Sequence, residues 1–343
     1  MEQKQMKILV TGAGGPAAVS FMQALADTNA TFFMADMDYH ASGLYLVPAA
    51  QRTLVLPGRH PDFIRDLLQK CRDLKIDVLV PTVDVELVAV AKARKQFELI
   101  GVRVLLADVE TLELCLDKLK LLIACDGLIP VPRFAVFNTA FDDSDWQYPL
   151  IVKPRAGSGS RGVVRVETPA ELRKLERGTH LLVQEYLPGE EFSVDVLANQ
   201  RGEVLATVPR ERMKVDSGIA VVSRTLKDSE LEQCARLVAR CIGLKYVANI
   251  QFRRNAQGRP CLLEVNPRFP GTMPLTTASG VNIPLLCLKE LFGQVIASEQ
   301  LFWRELAMVR TWQETYLPAH EITQMMSSAE AEQGKAFYLS QAA

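Results

Sequence analysis

Within five consecutive residues, Glu264-Val265-Asn266-Pro267-Arg268, the chain places a carboxylate, a carboxamide and a guanidinium. Cys261 to Val265 is apolar enough to be a strand, and side chains alternate along a strand, so Glu264 and Asn266 share a face. Pro267 stops the strand and Arg268 stands at its exit. Two oxygen donors followed by a fixed cation suit a Mg²⁺-bound polyphosphate. Mg²⁺ takes hard oxygen ligands and keeps phosphate oxygens in its shell, and arginine offers a planar fork to a phosphoryl group. Upstream, Asn249 to Phe252 reads as a neighbouring strand. The turn Asn255-Ala256-Gln257-Gly258 between them predicts an antiparallel hairpin that brings Gln251 to the same side as Glu264. The plainer alternative is a surface hairpin whose polar residues are solvated.

A second set lies about a hundred residues earlier. Pro149 to Pro154 is a strand pattern carrying Lys153 near its end, and it runs straight into Arg155-Ala156-Gly157-Ser158-Gly159-Ser160-Arg161-Gly162 before a further strand, Val163 to Val166. Small residues with free backbone N–H groups form an anion cradle. The Walker pattern is excluded, because no Gly-Lys-Ser/Thr closes the loop and a strand follows it. A glycine-rich hairpin beside a lysine reads as a lid over phosphates, with a turn of no function as the alternative. Residues 181–196 read as a strand, a short extended linker and another strand, an arrangement able to present backbone groups to a base and carboxylates to ribose hydroxyls. Arg210 and Arg212, ahead of Ser217-Gly218, suit a carboxylate or phosphate. Lys118 follows Asp117 in a helical pattern from Leu112 to Cys125, where a lysine is ordinarily solvated.

The elements that must carry these residues begin with Lys7 to Thr11, a strand that enters Gly12-Ala13-Gly14-Gly15-Pro16-Ala17, then a helix, then strand Thr31 to Asp36. This βαβ unit fits the dinucleotide fingerprint, with Asp36 spaced for a ribose hydroxyl. Any tight strand-to-helix turn selects the same glycines, so a cofactor turn and a structural turn both stay open. The βα alternation continues through 52–56, the amphipathic helix 62–74, strand 77–82 and 101–107, which predicts a parallel-sheet domain ending near residue 110. Asp84 and Glu86 stand at the carboxyl end of a strand, where open sheets bind ligands, or else they start a helix. Leu231 to Ile242 is a helix pattern closed by Gly243.

Composition narrows the class. With 343 residues, 48% hydrophobic and 23% charged, the chain has the makeup of a soluble protein of two or three domains. Lys and Arg total 39 against 40 Asp and Glu, which excludes a polyelectrolyte surface for nucleic acid. The apolar run at the N-terminus is too short for a signal peptide, and no 18-residue apolar run predicts a membrane span. Seven cysteines without a Cys-x-x-Cys pair read as reduced core residues, so a cytoplasmic location is expected.

Taken in order, Asp117-Lys118, Ile151-Val152-Lys153-Pro154, loop 157–162, Gln184-Glu185-Tyr186-Leu187-Pro188-Gly189-Glu190-Glu191, Gln251 and Glu264-Val265-Asn266-Pro267-Arg268 resemble the ATP-grasp superfamily. The resemblance spans about residues 6–290 and is nearest the branch of the carbamoyl-phosphate synthase large subunit and the pyrrolysine-pathway ligase. It implies an α/β and α+β fold: a Rossmann-like parallel sheet at 1–110, an ATP-grasp lid at 111–187 and a body at 188–343, both with antiparallel sheets. It implies that Lys118 and Lys153 contact nucleotide phosphates, and that Gly157, Ser158, Gly159, Ser160 and Gly162 form the lid. Glu185, Tyr186 and Leu187 are implied around adenine, and Glu191 at the ribose. Gln251, Glu264 and Asn266 match Mg²⁺ ligands, with Mn²⁺ as an alternative ion, and Arg268 matches the arginine beside the γ-phosphate. Arg210 and Arg212 fall in the variable substrate region.

The expected activity is an ADP-forming ligase that activates a small carboxylate as an acyl phosphate for attack by an amine, with amino-acid or peptide-like substrates. A homodimer is the family's expectation. One ATP-grasp unit without a glutaminase segment does not make a complete carbamoyl-phosphate synthase, and no room is left for the C-terminal part of a biotin carboxylase. Two other classes are weighed: a catalytically inactive nucleotide-binding regulatory protein, and an NAD(P)-dependent oxidoreductase that would use Gly12 to Asp36. Residues 294–343 carry Trp303, Trp312 and Tyr316 but no recognisable motif.

Overall fold

The βα alternation of the first hundred residues closes as a five-stranded parallel sheet in a computed structural model that describes residues 5–157 and 159–341. Ser158 lies outside the described residues. The chain divides into two compact units, Met1–Leu106 with Thr311–Ala343, and Ala107–Arg310.

In the first unit the strands β1 (Met6–Thr11), β2 (Ala30–Asp36), β3 (Arg52–Leu54), β4 (Val78–Val80) and β5 (Arg103–Val104) lie in the order β3-β2-β1-β4-β5. The helices α1 (Pro16–Gln23), α2 (Phe63–Leu74), α3 (Asp84–Lys92) and α4 (Arg94–Leu99) connect them. Helix α2 buries Phe63, Leu67, Leu68 and Cys71, the stripe its 3.6-residue period predicts.

The second unit holds two antiparallel sheets. The smaller has four strands, β6 (Phe134–Val136), β7 (Leu150–Pro154), β8 (Val164–Val166) and β9 (Leu181–Glu185), ordered β6-β9-β7-β8. The larger has six: β10 (Glu191–Ala198), β11 (Val204–Asp216), β12 (Ile219–Thr225), β13 (Tyr246–Arg254), β14 (Pro260–Asn266) and β15 (Ala307–Val309), ordered β14-β13-β10-β11-β12-β15. The chain passes from one sheet to the other through residues 186–190.

Around the sheets run the helices α5 (Val109–Cys115), α6 (Lys118–Cys125), α7 (Pro169–Leu172), α8 (Ser229–Cys241), α9 (Met273–Ser279) and α10 (Ile283–Leu291). The single helix expected over 112–125 is two. Asp117 accepts from the backbone N–H groups of Leu119 and Lys120, so it caps α6 instead of continuing α5. A last helix, α11 (Ala319–Gln341), belongs to the first unit, where Arg52 and Glu321 pair at 2.6 Å. The expectation of one body over 188–343 is therefore corrected: the chain from Thr311 onward groups with the first sheet.

Strand alternation divides the six-stranded sheet chemically. Phe192, Val194, Val196, Ile250, Phe252 and Leu262 form one face and pack into a buried core with Leu231, Cys234, Ala235 and Val238 of α8. The opposite face carries the polar groups, alongside the buried Leu197, Val208 and Val247. Register runs a row straight across it: Glu264 opposite Gln251, Gln251 opposite Ser193, Ser193 opposite Arg210, Arg210 opposite Thr225. Directly paired residues project to the same side, so every member of the row faces away from the core.

At the centre of that face Asp195 and Arg210 are both fully buried. Asp195 accepts from Arg210 Nη2 at 2.8 Å and Nε at 3.1 Å, from Asn249 Nδ2 at 2.7 Å and from Thr276 Oγ1 at 2.5 Å. Removing one partner of such a pair strands a buried charge. Asp195→Ala is therefore expected to lower stability by about 3–5 kcal/mol, read as a fall in the urea midpoint. A loss under roughly 1 kcal/mol would show that water reaches the guanidinium.

Candidate active site

The glycine turn of the first unit is filled by its own chain. Gly14 N donates to Asp36 Oδ2 at 2.8 Å, so the carboxylate spaced for a ribose is spent on the turn itself. Gly43 N bonds Ala13 O at 3.0 Å, and a Cβ on Gly43 would stand 2.3 Å from that oxygen, so residues 41–44 lie directly on the turn. Gly12 holds φ +70°, and a Cβ there would meet Val83 Cγ2 at 2.4 Å. The geometry supports the structural reading of this turn.

Glu86 is buried as well, and accepts from Thr11 Oγ1, Thr82 N and Val83 N. Burial pushes its carboxyl up to about 7 against the pull of those donors. It closes the start of α3 rather than reaching outward, which is the helix-start alternative. Asp84 is the first residue of the same helix.

The second unit gathers most of the remaining candidates round one cleft of about 220 Å³. Lys118, Lys153, Gly157, Ser160, Tyr186, Leu187, Glu191, Gln251 and Glu264 all line it. Lys153 stands on β7 and Lys118 on the first turn of α6. Both are buried, at 6% and 9% exposure. Burial, partly countered by Glu264, lowers the Lys153 ammonium to about 8. Lys118 Nζ donates to Gly157 O at 2.8 Å and lies 3.3 Å from Glu264 Oε2, which ties the glycine loop to the carboxylate of β14.

The other named residues stand apart from the cleft lining. Asn266 Nδ2 reaches Glu264 Oε1 at 3.4 Å. Arg268 donates to Phe269 O at 3.3 Å from the loop after β14. Glu185 Oε1 accepts from Arg133 N at 3.0 Å. Gly159 and Gly162 hold φ of +67° and +74° in the exposed loop. Arg210 is buried in its pair with Asp195, so the substrate contact expected of it is not an open one.

Three features went unread in the sequence. Arg155 grips Asp117 with Nη2 at 2.6 Å and Nε at 3.2 Å, and its carbonyl accepts from Lys118 N at 2.9 Å. Burial works against ionisation of Asp117, but this fork outweighs it and holds the carboxyl below its ordinary value. The clamp aims both lysine-bearing elements at one point. Arg212 Nε lies 2.7 Å from Glu191 Oε1, and Arg212 Nη2 donates to Gly218 O at 2.9 Å, so the carboxylate is oriented from behind. Gln184 lines the cleft with its Oε1 buried and without a hydrogen-bond partner.

These residues fit a magnesium nucleotide. Two buried ammonium groups suit a polyphosphate, and the unpartnered Gln184 carboxamide oxygen suits a donor such as an exocyclic amine. Among the described residues no group of three or more His, Cys, Asp or Glu is placed to hold a metal. Glu264 with the carboxamide oxygens of Gln251 and Asn266 is a sparse donor set. It suits an ion that draws much of its shell from phosphate and water. All seven cysteines are free thiols. No described helix is long and apolar enough to cross a membrane.

The comparisons agree with this geometry. Residues 177–315 match the family described as "ATP-grasp in the biosynthetic pathway with Ter operon", and residues 8–105 match "PylC-like, N-terminal domain". A D-alanine–D-alanine ligase of Thermotoga sp. (strain RQ2) is 30% identical over 122 residues, covering 34% of this chain and 40% of that protein. The chain spans about half or less of the length of the curated relatives it first matches. Among solved structures, the L-amino acid ligase of Bacillus licheniformis superposes with a TM-score of 0.65 at 20% identity, over 87% of this chain and 76% of that one. The biotin carboxylase domain of the Hydrogenobacter thermophilus 2-oxoglutarate carboxylase, solved with MgADP and bicarbonate, gives 0.68 at 16% identity over 88% and 73%. At these identities the superpositions show a shared fold.

The lowered Lys153 group has a stability consequence. Below about pH 8 the buried ammonium is charged in both folded and unfolded chains and the folded state carries its burial cost; between about 8 and the ordinary 10.5 that cost fades. Lys153→Met is therefore expected to melt above the parent at pH 7, with the gap closing by pH 9.5. Melting curves at the two pH values check this, and a gap that widens with pH would refute it.

Proposed function

Because the chain belongs to the ATP-grasp superfamily and carries a PylC-like N-terminal domain, we propose that it is an ADP-forming ligase joining a small carboxylate to an amine. The observation that carries this reading is the convergence of Lys118, Lys153, Glu191, Gln251 and Glu264 on one cleft beneath a glycine-rich loop. The named relatives support it: two are amino-acid ligases by name, and the biotin carboxylase domain was solved with MgADP.

The chemistry follows from charge. A carboxylate attacking the γ-phosphorus of ATP approaches a group of its own sign, so cations must offset the repulsion. Lys118 and Lys153 supply two of them from a desolvated setting, where each counts for more than in water. Glu264, Gln251 and Asn266 would hold Mg²⁺, which when bound screens the phosphate oxygens and orients the leaving ADP. As nucleotide enters, Lys118 exchanges its contact with Glu264 for phosphate. The loop that Lys118 tethers at Gly157 then closes over the phosphates and shields the acyl phosphate from water. To Arg268, at the exit of β14, this reading assigns the transferring phosphoryl group. Glu191, fixed by Arg212, accepts from the ribose hydroxyls, while Gln184 and the 185–187 segment meet the base. The amine then attacks the acyl carbon and releases phosphate, and the protein supplies no covalent nucleophile.

ADP release with MgATP across pooled carboxylates, with hydroxylamine present, tests the reading. Carboxylate-dependent ADP together with a hydroxamate is expected. Failure of the purified protein to bind MgATP would overturn the proposal. Glu264→Gln, which removes a charge with little change of volume, is expected to lower turnover by at least about a hundredfold and leave the melting curve in place. Near-normal turnover in that variant would reject the metal assignment.

A further inference from the structure

The chain leaves the four-stranded sheet for the six-stranded one at Tyr186, and both sheets send an arginine to that residue. Arg165 of β8 lies over the Tyr186 ring, its guanidinium carbon 4.3 Å from the centroid, and Arg253 of β13 lies over the same ring at 5.5 Å. Register explains how Arg165 arrives there. It stands opposite Ile151 of β7, and Ile151 stands opposite Gln184 of β9, so the three share one face of the smaller sheet. Tyr186, two residues past Gln184, continues on that side. Ile151, Gln184 and Tyr186 line the nucleotide cleft, whereas Arg165 is not among its lining residues. The Arg165 side chain is half in solvent and pairs with Glu167 at 2.7 Å.

The far end of the crossing is fixed to the larger sheet. Gly189 N donates to Arg254 O and Arg254 N donates to Glu190 O, each at 3.0 Å. A Cβ on Gly189 would stand 2.7 Å from Arg254 O, so the backbone lies directly on β13. Arg253 Nε donates to Gly189 O at 2.9 Å, so this arginine braces the segment at Gly189 as well as at Tyr186. The face of an aromatic ring carries partial negative charge and draws both guanidinium groups. The two cations repel each other, so the ring is what joins them. The smaller sheet carries Lys153, and the larger carries Gln251 and Glu264. The angle between the sheets therefore decides whether the ammonium and the metal donors meet one polyphosphate.

We propose that Tyr186, with Arg165 and Arg253, is a clasp between the two sheets, a positioning group that sets Lys153 against Gln251 and Glu264. This rests on the ligase reading, because it assigns control of geometry to that reaction's nucleotide site. The role differs from a contact with the base. A ring that met only adenine would make no use of Arg165, which lies outside the cleft lining.

Calorimetric MgATP affinities of Arg165→Met, Tyr186→Leu, Tyr186→Phe and the double variant Arg165→Met/Tyr186→Leu, each beside the parent, test the clasp. Arg165→Met is expected to weaken MgATP binding by about threefold, the scale of one half-exposed cation–π contact, and Tyr186→Leu by about tenfold. Tyr186→Phe keeps the ring and is expected to recover most of that loss. In the double variant Arg165→Met is expected to add nothing to Tyr186→Leu, because the ring through which it acts is gone. The melting midpoint of Arg165→Met is expected within about 2 °C of the parent, so lost affinity does not reflect unfolding. Parental affinity in Arg165→Met would overturn the clasp. So would an Arg165→Met loss that persists in full beside Tyr186→Leu, which marks a charge acting on the phosphates through space. A Tyr186→Phe as weak as Tyr186→Leu would overturn it too, since the hydroxyl would then be the working group. Should Tyr186→Leu fold poorly, Tyr186→Met takes its place in the cycle. A parent that binds MgATP no better than its variants loses only the clasp, whereas one that binds no MgATP loses the ligase reading and the clasp with it.

Discussion

The two-residue period of an antiparallel strand is the constraint on which the second unit depends. Six strands in register must send alternate side chains to opposite faces, and here one face is wholly committed to the core beneath α8. The polar groups of the candidate site fall on the other face, while Thr207, opposite Val196, turns to α8 and meets Glu232 and Arg236. Glu264, Gln251, Ser193 and Arg210 come from four different strands, yet they fall in one transverse row because register leaves no alternative. A one-residue slip in β14 would bury Glu264 in the apolar core and turn Val265 toward the site. The apolar core and the candidate site are therefore specified by the same pairing.

Gathering that many charged groups on a partly desolvated surface raises a second problem, which the structure meets by unequal pairing. Asp195 is saturated, with four donors, and Arg212 finds Glu191. Lys118 has the Gly157 carbonyl and, as counter-charge, the more distant Glu264 at 3.3 Å, and Lys153 is held below its ordinary protonation range by burial. The saturated pairs act as framework. The under-satisfied cations mark where an anion completes the charge balance, because a buried cation with spare donors gains more from a ligand than one already paired. Framework and binding functions are thus distinguished by how fully each group's hydrogen bonds are made, which residue type alone does not reveal.

That distinction explains what the sequence could and could not say. Glu264-x-Asn266-Pro-Arg268, Lys153 and the glycine loop are local strings, so they were legible without a fold, and the hairpin joining Gln251 to Glu264 was announced by its four-residue turn. The parallel sheet followed from apolar strands alternating with helix periods. Arg155 and Asp117 are 38 residues apart, and Arg165 and Arg253 meet one tyrosine from different sheets; no period or spacing links them. The break between α5 and α6 was missed for a local reason. The apolar pattern runs across Leu116, and only the capping geometry of Asp117 shows that the helix restarts. Capping residues are visible in sequence, but an aspartate inside a continuous helical pattern is ordinarily read as a solvated position.

The two glycine-rich stretches show why a motif is settled by what surrounds it. Gly12 to Gly15 leaves β1 into a helix, and residues 41–44 and Asp36 occupy the ground a bound dinucleotide would need. Gly157 to Gly162 leaves β7 into an exposed loop, and a Cβ at Gly157 or Gly159 would meet nothing within 4 Å. Glycine at the first turn permits close packing of the chain on itself. Glycine in the second permits a left-handed backbone with its N–H groups unhindered by side chains, as closure over phosphate requires. The same residue type thus serves two opposite ends, and the neighbour that fills or leaves the space decides which. For the first turn that neighbour is the chain itself; for the second it is Lys118, whose bond to the Gly157 carbonyl places the loop against the cleft it would cover.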